Sequence, residues 1–228
     1  MSKQHDEAHA TLPQLTPFRS VVEFAEMGIW LWDASDSELR DVEQIEAQFV
    51  LRRQFRRDFG YVVASAEVMN ILSEFLLETG PVLDAGCGSG YLSKELTGLG
   101  VSMFAVDCCD FREVRPAGQG YPINAVYQRD ALGDAATFIS NHFGAVLLAW
   151  PPHDRPFALR VAQAMLPGQL LVYEGESAGG CTADDAFFEF MADTSHWERL
   201  AGDSARLNAV HVTLEMLHDH WTVWRRLD

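Results

Sequence analysis

Apolar residues in the first third of the chain recur with the spacing of α-helices. Residues 37–59 contain neither glycine nor proline, and their apolar positions fall on one helical face at Val42, Ile45 and Phe49. Residues 65–79 carry a wider apolar stripe, with Ser65 as N-cap and a glycine–proline pair beyond the end. The pattern therefore predicts two helices, preceded by a shorter helix over residues 16–28.

The rhythm changes after Pro81, where short apolar runs begin to alternate with helical stretches. The runs fall at residues 82–83, 101–106, 125–127, 145–150 and 170–173. Such alternation is typical of an α/β fold, in which helices cover both faces of a parallel sheet. Near the end, residues 196–200 and 221–226 indicate antiparallel strands without a helix between them, and residues 210–216 allow a further strand.

Composition restricts the partners and the location of the protein. The 228 residues include 33 acidic and 17 basic side chains, and the net charge of −16 disfavours a nucleic-acid partner. No apolar stretch approaches the ~20 residues of a membrane span, and the first ten residues lack the apolar segment of a secretory signal. Four cysteines without a C-x-x-C pair indicate reduced thiols and no zinc site. We therefore expect a cytoplasmic protein that does not contact membranes.

Glycines fill the turn after the first predicted strand. That strand ends at Asp84, and Gly86, Gly88 and Gly90 lead into the next helix. Glycine permits positive φ and lets a ligand approach the backbone, and this edge of an open α/β sheet binds nucleotides. A dinucleotide loop would require a further glycine where Tyr91 stands, and a phosphate loop would require a lysine there.

The D-x-G-x-G-x-G sequence of this turn resembles motif I of the class I S-adenosylmethionine (SAM) methyltransferases. Asp107 ends the second predicted strand, where a carboxylate can accept hydrogen bonds from both ribose hydroxyls. Asp130 follows the third strand, at the position where that family places an acid near the adenine amino group. The Pro-Gly turn within residues 166–172 also resembles the family's entry into strand five.

The resemblance covers residues 80–175 and implies a Rossmann-like, mostly parallel seven-stranded sheet of order 3-2-1-4-5-7-6. It implies SAM as cofactor and S-adenosylhomocysteine as product. Residues 1–60 would then form a tail and helical cap, and residues 61–228 the methyltransferase domain. The cofactor-binding positions that it implies are Asp84, Gly86, Gly88, Gly90, Asp107, Cys108, Asp130 and Ala131.

The fourth predicted strand ends in Trp150-Pro151-Pro152-His153, which is similar to the [D/N/S]-P-P-[Y/F] motif of amino- and amide-N-methyltransferases. In that motif the first side chain accepts a hydrogen bond from the target nitrogen, whereas indole only donates. We expect these four residues to contact the acceptor, with His153 as a general base for an alcohol. The alternative is a rigid loop after a buried strand. Residues 179–185 resemble a stretch of uncharacterised methyltransferase-like proteins and indicate no substrate.

Two further groups of residues allow functional and structural interpretations. Tyr173 and Glu174 end the fifth strand and are predicted to contact the acceptor, with a solvated loop as the alternative. Four arginines on the second helix form either a solvated face that complements the helix dipole or an anion-binding lid. These are Arg52, Arg53, Arg56 and Arg57. The sequence His218-Asp219-His220 is interpreted as a turn, not as a metal site.

The resemblance implies a SAM-dependent methyltransferase. Because a sulfonium is already activated, the protein chiefly has to align donor and acceptor and exclude water. An alcohol acceptor also requires a base, whereas a carboxylate does not. We expect O-methylation of a small-molecule carboxylate or alcohol. The alternatives are an N-methyltransferase acting on a protein or amide, and a SAM-binding protein without turnover.

Overall fold

The structure is a computed structural model that describes residues 19–26, 42–107, 126–128, 139, 142–214 and 216–228. Its helices are α1 (Val21–Glu26), α2 (Val42–Asp58), α3 (Ala66–Leu76), α4 (Tyr91–Gly98), α5 (Phe157–Ala164), α6 (Asp185–Met191) and α7 (Ala201–Asn208). Its strands are β1 (Val82–Ala85), β2 (Met103–Asp107), β3 (Val126–Gln128), β4 (Ala145–Ala149), β5 (Leu170–Gly175), β6 (Trp197–Arg199) and β7 (His220–Arg226).

The strands form one sheet with the order β3-β2-β1-β4-β5-β7-β6. Strands β1 to β5 pair in parallel, and β7 runs antiparallel to both β5 and β6. The carboxyl ends of β1, β2 and β4 therefore meet at one edge of the sheet. The predicted α/β class is confirmed, because helices alternate along the chain with the strands of one sheet.

Two apolar cores cover the two faces of the sheet. One contains α3, α4 and α7 against alternate strand residues such as Val82 and Val172. The other contains α5 and α6 against their neighbours Leu83 and Leu171. Alternation arises because successive strand side chains point to opposite faces. Every residue of β1 is buried, as the short apolar run without polar alternation predicts for a central parallel strand.

The N-terminal helices belong to the first of these cores. Phe24 of α1 and Phe55 of α2 are fully buried there, and their rings make an edge contact with centroids 6.4 Å apart. The predicted cap at Ser65 is confirmed, because its hydroxyl accepts from the Val68 amide at 3.2 Å. Residues 37–41 of the predicted second helix lie outside the described residues, and the division at residue 60 stays a prediction.

The carboxyl-terminal region differs from the sequence prediction in two ways. Helix α7 lies between β6 and β7, where no helix was expected, because its eight residues carry too few apolar positions to form a stripe. It packs through Ser204, whose hydroxyl donates to the Leu200 carbonyl and accepts from the Val223 amide. Residues 209–214 are not a strand, although Val212 and Leu214 are buried. Apolar and polar residues alternate in this segment because Val212 and Leu214 insert into the core, although the segment does not pair with a strand. No helix among the described ranges is long and apolar enough to cross a membrane.

Candidate active site

A cavity of about 280 Å³ opens at the carboxyl edge of the sheet. Three segments line it: the glycine turn after β1, the segment of residues 59–62 after α2, and the loop of residues 149–157 after β4. Asp107 at the end of β2 completes the wall. The parallel order of β2, β1 and β4 brings these segments together, since their carboxyl ends are neighbours.

The glycine turn has the backbone conformation that the sequence predicts. Gly86, Gly88 and Gly90 have φ values of 76°, 55° and 72°, in the left-handed region that side chains rarely adopt. A Cβ on Gly86 would lie only 3.1 Å from the Phe157 ring, so the absence of a side chain at this position also allows close packing. Gly86 and Gly88 line the cavity, whereas Gly90 caps the start of α4.

Asp84 lies beneath the turn and is 1% exposed. The Ser93 hydroxyl donates to its Oδ2 at 2.6 Å. Burial raises the pKa of Asp84 to about 7, and the negative charge of Asp107 adds to this increase while the Ser93 hydrogen bond opposes it. The carboxyl therefore titrates near neutral pH, and its ionised form suits a cationic ligand group.

Asp107 is joined directly to the glycine turn. Its Oδ2 accepts from the Gly88 amide at 2.8 Å, across 19 residues of sequence. The hydrogen bond holds the carboxylate against the cavity wall, where the side chain is 8% exposed. The two predicted acids thus lie at the ends of neighbouring strands and line the same cavity. Cys108, Asp130 and Ala131 lie outside the described residues, so their cofactor roles stay predictions.

Sequence reasoning missed the segment after α2, which forms a whole side of the cavity. The Ser89 hydroxyl donates to the Phe59 carbonyl at 2.8 Å. The Tyr91 hydroxyl accepts from the Ala64 amide at 2.8 Å and donates to the Val62 carbonyl at 3.2 Å. Tyr91, which breaks the dinucleotide glycine pattern, therefore ties this segment to the turn. A tyrosine where a dinucleotide loop would have glycine was the sequence feature that could have indicated this contact.

The loop after β4 presents Trp150, Pro151 and Pro152 to the cavity. Trp150 has a φ of 51°, a left-handed conformation that is costly for a bulky residue. Its amide donates to the Glu174 carbonyl at 2.8 Å. The indole stacks on the Tyr61 ring, with centroids 5.1 Å apart and planes within 2° of parallel.

His153 is exposed and does not line the cavity. Its role as an acceptor-contacting general base therefore stays a prediction. In the same loop Arg155 lines the cavity instead.

Residues 176–184 hold the loop that contains Pro151 and Pro152 in place. The Ala183 amide donates to the Pro151 carbonyl at 3.0 Å, and Pro152 forms a bridge with Thr182. The Thr182 hydroxyl contacts the Tyr173 hydroxyl at 2.8 Å and accepts from the Glu176 amide at 2.8 Å. Tyr173 is therefore held within this network and does not line the cavity, and its contact with the acceptor stays a prediction.

Glu174 is fully buried and does not line the cavity, and its contact with the acceptor likewise stays a prediction. Burial and the nearby Asp219 raise its pKa well above the usual value. The Trp221 indole donates to Nδ1 of His211 at 3.1 Å, so the imidazole proton lies on Nε2 and donates to Asp219 at 2.9 Å. Although burial opposes it, the hydrogen bond from His211 lowers the pKa of Asp219. These groups form an internal network behind the cavity.

Of the four arginines predicted for α2, Arg56 has described contacts with the cavity wall. Its guanidinium lies over the Tyr61 ring, 5.6 Å from the centroid, and Nη1 donates to the Tyr61 hydroxyl at 3.4 Å. Arg52 is half-buried and Arg53 is exposed. The Arg57 side chain lies outside the described residues.

Replacing Thr182 with valine should lower the melting temperature, because the buried Glu176 amide loses its acceptor at nearly constant side-chain volume. The expected cost is about 1–3 kcal/mol, or several degrees for a chain of this size. Differential scanning calorimetry measures it. The control is Thr97→Val on α4, where the hydroxyl of an exposed residue donates only to the Ser93 carbonyl. If Thr182→Val melted with the wild type, the bracing role would be rejected.

No family model matches the chain, and no curated protein matches its sequence. Among solved structures, a Burkholderia thailandensis 1,6-didemethyltoxoflavin-N1-methyltransferase with bound S-adenosylhomocysteine is 17% identical, over 86% of this chain and 97% of that chain, with a TM-score of 0.43. A TehB-like SAM-dependent methyltransferase from Corynebacterium glutamicum is 16% identical, over 70% and 87%, with a TM-score of 0.43. An rRNA methylase from Streptococcus thermophilus is 13% identical, over 71% and 95%, with a TM-score of 0.42.

Proposed function

We propose that this protein is a class I SAM-dependent methyltransferase. The observation that carries the proposal is a single cavity in which a left-handed glycine turn lies beside two acids, Asp84 and Asp107, at the ends of adjacent parallel strands. The open edge of an α/β sheet at this point is where nucleoside ligands bind. The fold and the order of the sheet support the same assignment.

The charges of the cavity fit SAM better than a phosphate-bearing nucleotide. The turn side of the cavity carries the carboxyl groups of Asp84 and Asp107, which would repel phosphates. SAM has a sulfonium and an ammonium group, and its ribose offers two hydroxyls. Asp84 would attract the ammonium group, while Asp107 would accept from the ribose hydroxyls. Gly86 and Gly88 would let the nucleoside approach the backbone.

Bound SAM supplies a methyl group on an activated sulfonium, so the residues around it have mainly to position the acceptor. Among the described residues that line the cavity, the titratable groups are Asp84, Asp107, Arg155, Cys87 and two tyrosines, and none is a histidine. Without a histidine base, an acceptor that arrives ionised is favoured. We therefore propose O-methylation of a small-molecule carboxylate before that of an alcohol. The net charge of −16 supports a small acceptor over a nucleic acid.

N-methylation of a protein or amide is the second candidate, favoured by the presence of Pro151 and Pro152 in the cavity wall. The position that would accept a hydrogen bond from the target nitrogen is Trp150, whose indole only donates. A small oxygen acceptor therefore fits the wall better than an amide does.

Thermal-shift measurements with S-adenosylhomocysteine, NAD and ATP test the proposed ligand class. We expect only S-adenosylhomocysteine to raise the melting temperature. At a concentration of 100 times its Kd, a bound ligand increases the free energy of unfolding by about 2.7 kcal/mol. Equal shifts with NAD or ATP, or no shift with S-adenosylhomocysteine, would contradict the proposal. Methyl transfer from labelled SAM to pools of carboxylic acids, alcohols or peptides then separates the candidates. A shift without product in any pool would indicate SAM binding without turnover.

A further inference from the structure

We propose that Tyr61, Trp150, Arg56 and Arg155 form a binding site for a planar, negatively charged acceptor, namely an aromatic carboxylate. The site lies where residues 59–62 and the loop of residues 149–157 line the cavity, with Arg56 beside them. It rests on the proposed function only for what happens to the bound acceptor. It deepens that function by naming a substrate class. Three independent observations support it: backbone strain at Trp150, the ring geometry, and the local charge.

The strain at Trp150 indicates that the indole itself is needed in the cavity. A bulky residue at a φ of 51° costs on the order of 1–3 kcal/mol, and glycine would avoid this cost. The conformation is nevertheless fixed, because the Trp150 amide bonds the Glu174 carbonyl and the following Pro151 is held by the Ala183 amide. The indole packs against Tyr61 and the apolar core, and its remaining surface lines the cavity, where a ligand can contact it.

The geometry of the rings suits a flat ligand. Tyr61 and Trp150 lie within 2° of parallel, and both line the cavity without being fully buried. The two rings stack on each other, and an aromatic ligand can extend this stack on the ring surface that still faces the cavity, beside Pro152. A saturated ring of the same size would lose this stacking contact.

The charges beside this wall are positive, although the chain as a whole carries −16. Arg56 lies over the outer part of Tyr61, and Arg155 lines the cavity itself. The nearest described carboxylate to Arg155 is Asp154 at 3.8 Å, and both side chains are more than half exposed, so this pair is weak. The Arg155 guanidinium can therefore bind a ligand carboxylate, which arginine recognises through paired hydrogen bonds, and Arg56 adds positive charge beside Tyr61.

Binding of 2-naphthoate to protein saturated with S-adenosylhomocysteine tests the inference by calorimetry. Decahydro-2-naphthoate keeps the charge without the aromatic plane, and 2-naphthamide keeps the plane without the charge. We expect 2-naphthoate to bind at least about ten-fold more tightly than either, with an affinity that falls as salt rises. Equal binding of all three compounds, or no binding of 2-naphthoate, would overturn the proposal.

Two sets of variants locate the site. Trp150→Gly removes the indole and relieves the left-handed backbone strain, which offsets part of the packing lost against Tyr61, and it should bind 2-naphthoate about ten-fold more weakly. Arg56→Gln and Arg155→Gln should each weaken binding several-fold. Arg53→Gln, an exposed position on the same helix, is the matched control and should leave the affinity unchanged. Undiminished affinity in Trp150→Gly would overturn the proposal.

The outcomes also separate this inference from the proposed function. If S-adenosylhomocysteine binds and 2-naphthoate does not, the acceptor class is wrong and the methyltransferase proposal stands. If 2-naphthoate binds as predicted to protein that shows no response to S-adenosylhomocysteine, the aromatic anion site stands and the proposed function falls.

Discussion

Asp107→Ala should weaken the binding of S-adenosylhomocysteine about 5- to 150-fold, equivalent to roughly 1–3 kcal/mol for a lost charged hydrogen bond. Two contacts disappear together, because the same carboxylate that would bind the ribose also accepts from the Gly88 amide at 2.8 Å. The substitution therefore removes a ligand contact and loosens the turn that lies beside it. Calorimetric titration measures both the affinity and the stoichiometry.

Asp107→Asn separates these two effects. The amide oxygen of asparagine can still accept from Gly88, so the turn should keep its conformation, while the ribose loses a charged acceptor. We expect an affinity between those of the wild type and Asp107→Ala. Glu78→Ala, at an exposed position beyond α3, is the control for a lost surface charge. Wild-type affinity in Asp107→Ala would show that the carboxylate does not bind the ligand.

Asp84→Asn should raise the melting temperature at pH 8 while weakening the binding of S-adenosylhomocysteine. The carboxyl titrates near 3.8 when unfolded and at about 7 when folded, chiefly because folding buries it. Its stabilising contribution is therefore complete below the unfolded pKa and is lost as the pH rises through 7. At about 1.36 kcal/mol per pKa unit, the loss at pH 8 reaches roughly 4 kcal/mol.

Asparagine carries no such penalty, and its side chain can still accept from the Ser93 hydroxyl. The difference in melting temperature between Asp84→Asn and the wild type should therefore grow from pH 5 to pH 8, by several degrees. This difference removes the pH dependence that other titrating groups such as Glu174 contribute to the melting temperature, because both proteins contain those groups. A difference that stayed constant with pH would contradict the raised pKa of Asp84.

The sequence predicts best those features that depend on local chemistry. Short apolar runs identify buried parallel strands, because such strands need apolar residues on both faces. Glycines with positive φ, the Ser65 cap and the acid at each strand end are likewise local, and the structure places Asp84 and Asp107 on one cavity. The same reasoning could not find Tyr61, because its position depends on how the end of α2 folds against the glycine turn.

One prediction stays open, and one error has an identifiable physical cause. Tyr173 and Glu174 are predicted to contact the acceptor, although neighbouring strand residues point to opposite faces of a sheet and neither residue lines the cavity. Tyr173 contacts Thr182, and Glu174 lies beside Asp219. Helix α7 was missed because it packs through the Ser204 hydroxyl, and a polar contact leaves no apolar stripe in the sequence.

A crystal structure with S-adenosylhomocysteine tests the central claim most directly. The account predicts one ligand per chain, with its ribose hydroxyls bonded to Asp107, its amino group near Asp84 and its sulfur facing the wall formed by Trp150. Electron density for the ligand at another place on the protein, or a ribose without contact to Asp107, would contradict the account.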